Sequence, residues 1–149
     1  MLYLDGRPTR YYRDKVTDDD VRRFGIERGS PKSQALLETM AVLIGVRAWR
    51  GFLGRQRWTV TVRSDSQAAL GAALRLRSPD PRMNAVVREL ALDLAEGLYQ
   101  TDFWEHLPGD DNVLADMLSR WEQPGACTTL PPELAALERT AVAPRGDSW

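Results

Sequence analysis

The amino-acid sequence predicts an α/β domain in which a mixed β-sheet is flanked by helices. Residues 57–64 alternate apolar and polar side chains, as a half-buried β-strand does, and a second strand is expected over residues 100–106. Two longer stretches, residues 33–53 and 83–98, repeat their apolar residues at helical spacing instead. This mixture of strands and helices is typical of an α/β domain. With 149 residues, of which 43% are hydrophobic, the chain is long enough for one domain with its own core.

The N-terminal residues predict a β-hairpin followed by a short helix. Residues 2–4 form the first strand, Asp5 and Gly6 form the turn, and residues 9–12 form the return strand. Thr17 is then a suitable N-cap for a helix that ends near Arg23, because three aspartates follow it in the first turn.

The long helix over residues 33–53 follows a loop. Its apolar face is predicted to consist of Leu37, Met40, Ala41, Ile44 and Ala48. Glu38 lies at the border of this face, one turn from the small residue Ala41, so we expect its carboxylate to face inward.

A strand–helix unit comes next. Residues 57–64 form a strand that ends at Asp65, and Ser66 is expected to cap a short helix over residues 67–74. The prolines within residues 78–81 end that helix.

A second long helix is predicted over residues 83–98, and a strand over residues 100–106 follows it. The apolar face of this helix is predicted to consist of Val87, Leu90, Ala91, Leu94 and Leu98. Pro108 and Gly109 then turn the chain into a short helix, whose apolar stripe comprises Leu114, Met117, Leu118 and Trp121.

The proline, glycine and threonine content rises after residue 122, which is typical of a tail, and one helical turn is expected within residues 132–139. We therefore divide the chain into a domain over residues 1–121 and a proline-rich C-terminal tail or linker over residues 122–149.

Several classes of protein are excluded by composition. No apolar stretch approaches the 18 residues of a membrane span, and the N-terminus does not resemble a secretory leader, so we expect an intracellular protein. The single cysteine, Cys127, cannot form an internal disulfide or a multi-cysteine zinc site. The glycine-rich nucleotide-binding loops and the serine hydrolase elbow are also absent from the sequence.

The near-neutral net charge of −1 conceals a segregation of charge. Residues 39–79 contain seven arginines and one acid, Asp65, whereas residues 89–116 contain eight acids and no lysine or arginine. This pattern favours a cationic surface beside an acidic pocket, although arginines on the solvated faces of a helix and a strand would give the same pattern.

Three carboxylates stand at notable positions: Glu38 on the long helix, Asp65 at the end of a strand, and Asp116 in the short helix after the last predicted strand. Carboxylates that converge at the carboxyl edge of a sheet can hold Mg²⁺, which prefers oxygen ligands. Each of them also has a plainer interpretation, as a solvated helix residue, a helix cap or a surface charge. His106, the only histidine, ends the last strand and could transfer protons near neutral pH.

A long motif resembles a known family. The run His106-Leu-Pro-Gly-Asp-Asp-Asn-Val-Leu-Ala-Asp-Met-Leu-Ser-Arg120 is similar to the C-terminal motif of ribonuclease H domains of retroelement reverse transcriptases. The segment that begins Ser64-Asp65-Ser66 resembles the second aspartate segment of that family, and Leu37-Glu38 resembles its glutamate helix. The intervals, 27 residues from Glu38 to Asp65 and 51 from Asp65 to Asp116, agree with that order.

The resemblance implies a ribonuclease H-like fold, a five-stranded mixed sheet with helices on both faces. It implies metal-dependent endonucleolytic cleavage of the RNA strand of RNA–DNA hybrids, within a reverse transcriptase polyprotein in the cytoplasm or nucleus. The resemblance implies that Glu38, Asp65 and Asp116 bind the metal, which is Mg²⁺ or alternatively Mn²⁺. It also implies that His106 assists product release or proton transfer. The nucleic-acid contacts are Arg47, Arg50, Ser66 and Asn112.

The chain departs from the family pattern at its start. The family has a fourth carboxylate in a central first strand, whereas residues 2–4 align best with the second strand, so we expect the first strand to be missing from a truncated or degenerate copy. Asp5 is an alternative position for the fourth ligand, but Asp5-Gly6 is more typical of a hairpin turn. With three carboxylates, we expect weak cleavage or none.

Two other interpretations remain open. The chain could be a noncatalytic remnant that binds nucleic acid through its arginine-rich segment, where Trp49 and Trp58 lie among the arginines. It could also be a relative of integrases or exonucleases with similar metal carboxylates, although the His-x-Pro-Gly segment argues against that assignment.

Overall fold

The computed structural model describes residues 1–54, 58–96, 99–121, 125 and 129–145 of the chain. It confirms the predicted α/β class. The strands in chain order are β1 (Leu2–Leu4), β2 (Arg7–Tyr11), β3 (Trp58–Ser64), β4 (Tyr99–His106) and β5 (Glu138–Arg139). The helices are α1 (Asp18–Phe24), α2 (Gln34–Leu53), α3 (Gln67–Arg75), α4 (Pro81–Glu96), α5 (Val113–Ser119) and α6 (Pro132–Ala135).

The predicted N-terminal hairpin is confirmed. Strands β1 and β2 pair antiparallel, and the two turn residues, Asp5 at φ 50° and Gly6 at φ 74°, both lie in the left-handed region. This is the geometry of a type I′ turn, which matches the natural twist of two strands joined by a two-residue loop. The return strand therefore begins at Arg7, opposite Leu4, rather than at Thr9 as predicted.

Helix α1 begins as the sequence predicts. The hydroxyl of Thr17 accepts a hydrogen bond from the Asp20 amide at 3.1 Å, and the Asp20 carboxylate accepts one from the Thr17 amide at 2.8 Å. This capping box satisfies two amides that have no partner within the helix. The helix ends at Phe24, one residue beyond the prediction, because Gly25 adopts the left-handed conformation at φ 57°.

The main core lies between α2, α3 and α4, against which Trp58 and Val60 of β3 also pack. On α2 the buried side chains include Leu36, Met40 and Leu43, whereas Ala41 is exposed. The predicted face of this helix is therefore rotated from the observed one. The helix is apolar on most sides, so its neighbours α3 and α4 decide which side is buried.

The predicted break at residues 78–81 separates α3 from α4, and α4 begins within it. Pro81 is the first residue of α4, a position where its missing N–H costs no helical hydrogen bond. The Asp80 carboxylate accepts a hydrogen bond from the Arg82 amide at 2.8 Å and so caps the same turn. Val87 and Leu90 are buried as predicted, and Leu98 lies outside the described residues.

The described strands form two sheets rather than the single sheet that the sequence predicts. One is mixed, with the order β1–β2–β5, and the other is the parallel pair β3–β4. In the part of the chain that the structure describes, β1 pairs only with β2 and β3 pairs only with β4. Each sheet therefore has an open edge.

The described part of the predicted tail packs against the N-terminal hairpin. Helix α6 contains the predicted helical turn, and its Leu134 is fully buried in a second small core with Tyr11 and Leu118. Strand β5 then pairs in parallel with β2, where Arg10 lies opposite Glu138. This pairing joins residues 128 apart, a separation that local sequence patterns do not reveal.

No helix within the described ranges is long and apolar enough to cross a membrane, in agreement with the composition.

Candidate functional site at the ends of the parallel strands

The parallel strands β3 and β4 bring Asp65 and His106 to one edge. Ser64 and His106, the last residues of the two strands, lie opposite each other in the register. The Leu107 amide extends the ladder by donating to the Ser64 carbonyl at 2.9 Å. The Nε2 atom of His106 then lies 3.2 Å from the carbonyl oxygen of Asp65, and it is the donor when it carries the proton. The structure therefore places these two residues side by side at the same edge of the sheet.

The turn that carries Asp65 is held by hydrogen bonds on both sides. The hydroxyl of Ser64 accepts from the Ser66 amide at 3.1 Å, and the hydroxyl of Ser66 accepts from the Ala69 amide at 3.2 Å. Ser66 is therefore the N-cap of α3, as predicted, and its hydroxyl already has a partner in the protein. The Asp65 side chain is left exposed at the strand end.

Asp116 and Asn112 follow on the connection that leaves His106. Asn112 is the N-cap residue of α5, but its side chain makes no capping hydrogen bond. Asp116 lies in the first turn of α5 and pairs with Arg120 one turn later, Nε to Oδ1 at 2.9 Å. Both members of this pair are substantially exposed, so the bond contributes little to stability and the carboxylate can exchange partners.

Glu38 lies in the first half of α2 and is half-buried. Its Oε1 accepts a hydrogen bond from Nε2 of Gln34, one turn earlier, at 3.0 Å. An amide is a neutral partner, so the carboxylate charge is not balanced by this contact.

The described residues contain no group of three or more His, Cys, Asp or Glu side chains placed to hold a metal ion. The structure thus joins Asp65 and His106 but does not gather Glu38, Asp65 and Asp116 into such a group. Carboxylate oxygens are suitable ligands for Mg²⁺ in their chemistry, and the metal site stays a prediction. Asp5, the alternative fourth ligand, occupies the exposed hairpin turn.

The two arginines expected to contact nucleic acid differ in their surroundings. Arg47 is bound by two carboxylates of α4, with its Nε 2.5 Å from Asp93 and an Nη 3.0 Å from Glu89. Partial burial acts to lower the pKa of Arg47, but the hydrogen bonds to Asp93 and Glu89 outweigh it and raise the pKa. Arg47 therefore joins α2 to α4, whereas Arg50 is exposed.

The two tryptophans of the arginine-rich segment contact other residues of the protein. Trp58 packs against the main core, and its Nε1 donates to the Leu53 carbonyl. Trp49 lies edge-on to Tyr12, with their ring centroids 5.5 Å apart. Arg55 and Arg57, which complete the predicted basic segment, lie outside the described residues.

One feature was not predicted from the sequence. A cavity of about 410 Å³ lies beside the ends of β2 and β5, where Arg13 and Arg139 are among its lining residues. Only the pairing of β2 with β5 brings these two arginines together, since they are 126 residues apart. No local motif signals such a site.

In comparisons with known proteins, no family model, curated protein or solved structure matched this chain.

Proposed function

We propose that this chain is a ribonuclease H-like domain that hydrolyses the RNA strand of RNA–DNA hybrids with the help of Mg²⁺ or Mn²⁺. The observation that carries the proposal is the contact between His106 and the Asp65 backbone at the shared end of β3 and β4. Two segments that resemble the family's motifs, 41 residues apart, meet at the edge where α/β sheets bind ligands.

The order of elements supports the same proposal. Glu38 lies on the long helix α2, Asp65 follows β3, and Asp116 lies on the short helix α5 after β4, which is the order of motifs that the resemblance implies. The family's central first strand would lie between the hairpin and the parallel pair. The open edges of β1 and β3 are consistent with a sheet that lacks that strand among the described residues.

The proposed chemistry assigns a task to each side chain. Glu38, Asp65 and Asp116 would hold the divalent metal, which supplies charge stabilisation to the attacking and leaving oxygens of the phosphodiester. His106 is exposed at the same edge and would exchange protons with solvent or product. On this proposal the domain belongs to a reverse transcriptase polyprotein and acts inside the cell.

A cleavage assay tests the proposal. Purified protein is incubated with Mg²⁺ or Mn²⁺ and an RNA–DNA hybrid labelled on its RNA strand, next to the Asp65→Asn variant. Slow cleavage that Asp65→Asn abolishes supports the proposal. Asp110→Asn is a matched control, because Asp110 is an exposed carboxylate of the same segment and has no task in the proposed chemistry. Cleavage that survives Asp65→Asn would contradict the proposal.

The second candidate is a noncatalytic module that binds nucleic acid. It is favoured by the outward face of β3, where Thr59, Thr61 and Arg63 are exposed, and by the exposed Arg50 at the end of α2. Binding of a hybrid that weakens steeply with salt, without any cleavage, supports this candidate. Absence of binding at low salt would exclude it.

A further inference from the structure

None of the predicted catalytic residues lines the cavity at the ends of β2 and β5. Its volume is about 410 Å³, and its lining residues are Arg13, Asp14, Arg139, Ala141 and Val142. The parallel strands β2 and β5 both end there, and the Thr140 amide continues their ladder by donating to the Tyr11 carbonyl at 2.8 Å. The carboxyl ends of parallel strands are a frequent place for ligands.

Two guanidinium groups are held at this cavity. An Nη of Arg139 donates to the backbone carbonyl of Arg13 at 3.4 Å, a long hydrogen bond that leaves its other N–H groups available. The Arg13 guanidinium lies over the ring of Trp121, 4.6 Å from the ring centroid. Stacking of this kind orients the guanidinium plane while its N–H edge stays available for an anion.

The carboxylates near the two arginines are already paired with other cations. Asp14 pairs with Arg145, and Glu138 pairs with Arg10 at 2.5 Å. Within the ranges that the structure describes, no carboxylate oxygen lies within 4.0 Å of the guanidinium of Arg13 or Arg139. The cavity is therefore lined by two positive charges that lack an acidic partner among the described residues.

We infer that the cavity between Arg13 and Arg139 binds a phosphate group. A phosphate monoester carries about −1.5 to −2 charges at pH 7, so it can balance the positive charges of both guanidinium groups. A carboxylate ligand carries one negative charge and would balance only one of the two guanidinium groups. Guanidinium groups also match the oxygens of phosphate in paired hydrogen bonds. The group is either free phosphate or the terminal phosphate of a nucleic-acid strand, and the inference does not depend on cleavage at Asp65.

The test is a calorimetric titration of the full chain at low salt, without divalent metal. The probes are inorganic phosphate and a short single-stranded DNA, prepared with a 5′-phosphate and with a 5′-hydroxyl. We expect saturable binding that weakens about tenfold or more in Arg13→Gln and in Arg139→Gln. Arg88→Gln is the matched control, because Arg88 is an exposed arginine of α4, and we expect it to bind like the unchanged protein.

The two kinds of probe distinguish the source of the phosphate. If the DNA strand binds only when it carries a 5′-phosphate and both arginines are present, the cavity binds the ends of strands. If only inorganic phosphate binds, the cavity binds the free anion. The inference is overturned if no probe binds saturably, or if binding is unchanged in both arginine variants while their thermal unfolding is normal. The titration contains no divalent metal and needs no cleavage, so its failure would leave the result of the cleavage assay unaffected.

Discussion

The buried carboxylate of Asp20 is expected to be among the largest single contributors to stability. Its side chain is fully buried, and two nitrogens of Arg145 contact it at 3.2 and 2.8 Å. It also accepts the Thr17 amide in the capping box. Arg145 itself is only 12% exposed and is shared with Asp14. The Asp20→Ala variant therefore removes one of the two bonds of the capping box, the one from the Thr17 amide, and leaves a mostly buried guanidinium with one acidic partner instead of two.

The magnitude follows from these contacts. Loss of the hydrogen bond from the Thr17 amide costs about 1 kcal/mol, and loss of the charge-assisted bonds to Arg145 costs about 2 kcal/mol more. We expect Asp20→Ala to lower the free energy of unfolding by about 3 kcal/mol, in the range measured for broken buried ion pairs. Urea unfolding followed by circular dichroism measures this value.

Two further variants make the test of Asp20 specific. Asp19→Ala removes an exposed carboxylate of the same helix, paired with Arg22, and we expect it to cost at most about 0.5 kcal/mol. Arg145→Ala combined with Asp20→Ala forms a double-mutant cycle, in which we expect a coupling energy above about 1 kcal/mol. A cost below about 1 kcal/mol for Asp20→Ala, or a coupling energy near zero, would refute the reasoning.

Three more predictions concern backbone, packing and pH. Leu76 ends α3 in the left-handed region at φ 48°, so Leu76→Gly should raise the free energy of unfolding by about 1 kcal/mol in urea, and a decrease would contradict this. A Cβ on Gly45 would lie 3.1 Å from ring atoms of Trp49 and Tyr12, so Gly45→Leu should destabilise by about 2 kcal/mol, whereas Gly51→Ala, on an open side of the same helix, should stabilise by up to about 1 kcal/mol. Burial, and then the charge of Asp14, raise the pKa of Tyr12 above its ordinary value of 10.0. The protonated Tyr12 hydroxyl therefore contributes fully to the free energy of unfolding below pH 10, and this contribution is lost as the pH rises further. Tyr12→Phe should flatten the fall in stability above pH 10, and an equally steep fall in the variant would argue against this cause.

Elements that depend on local chemistry could be predicted from the sequence. Asp5-Gly6 specifies its turn through two left-handed residues, and Thr17 specifies the start of α1 through its own hydroxyl. The positions of Asp65 and His106 at the ends of strands were predictable as well, and the two residues meet because those strands pair in parallel.

Features that depend on distant partners were not predictable in this way. Arg47 belongs to a run of arginines, and nothing within that run shows that Asp93, 46 residues later, would bind it. Strand β5 has only two residues, too few to produce an alternating pattern. The position of Glu38 relative to Asp65 depends on how α2 packs against its neighbours, which its pattern of apolar residues does not determine.

The pairing of β2 with β5 has a consequence for the order in which the molecule folds. Arg10 and Glu138 are separated by 128 residues, and closing a flexible loop of that length costs about 4 kcal/mol in entropy. The helices α2, α3 and α4 meet over much shorter separations, so their core can assemble before that loop closes. We therefore expect the hairpin at the start of the chain to gain its third strand late, when the docked helices have already shortened the loop that remains to be closed.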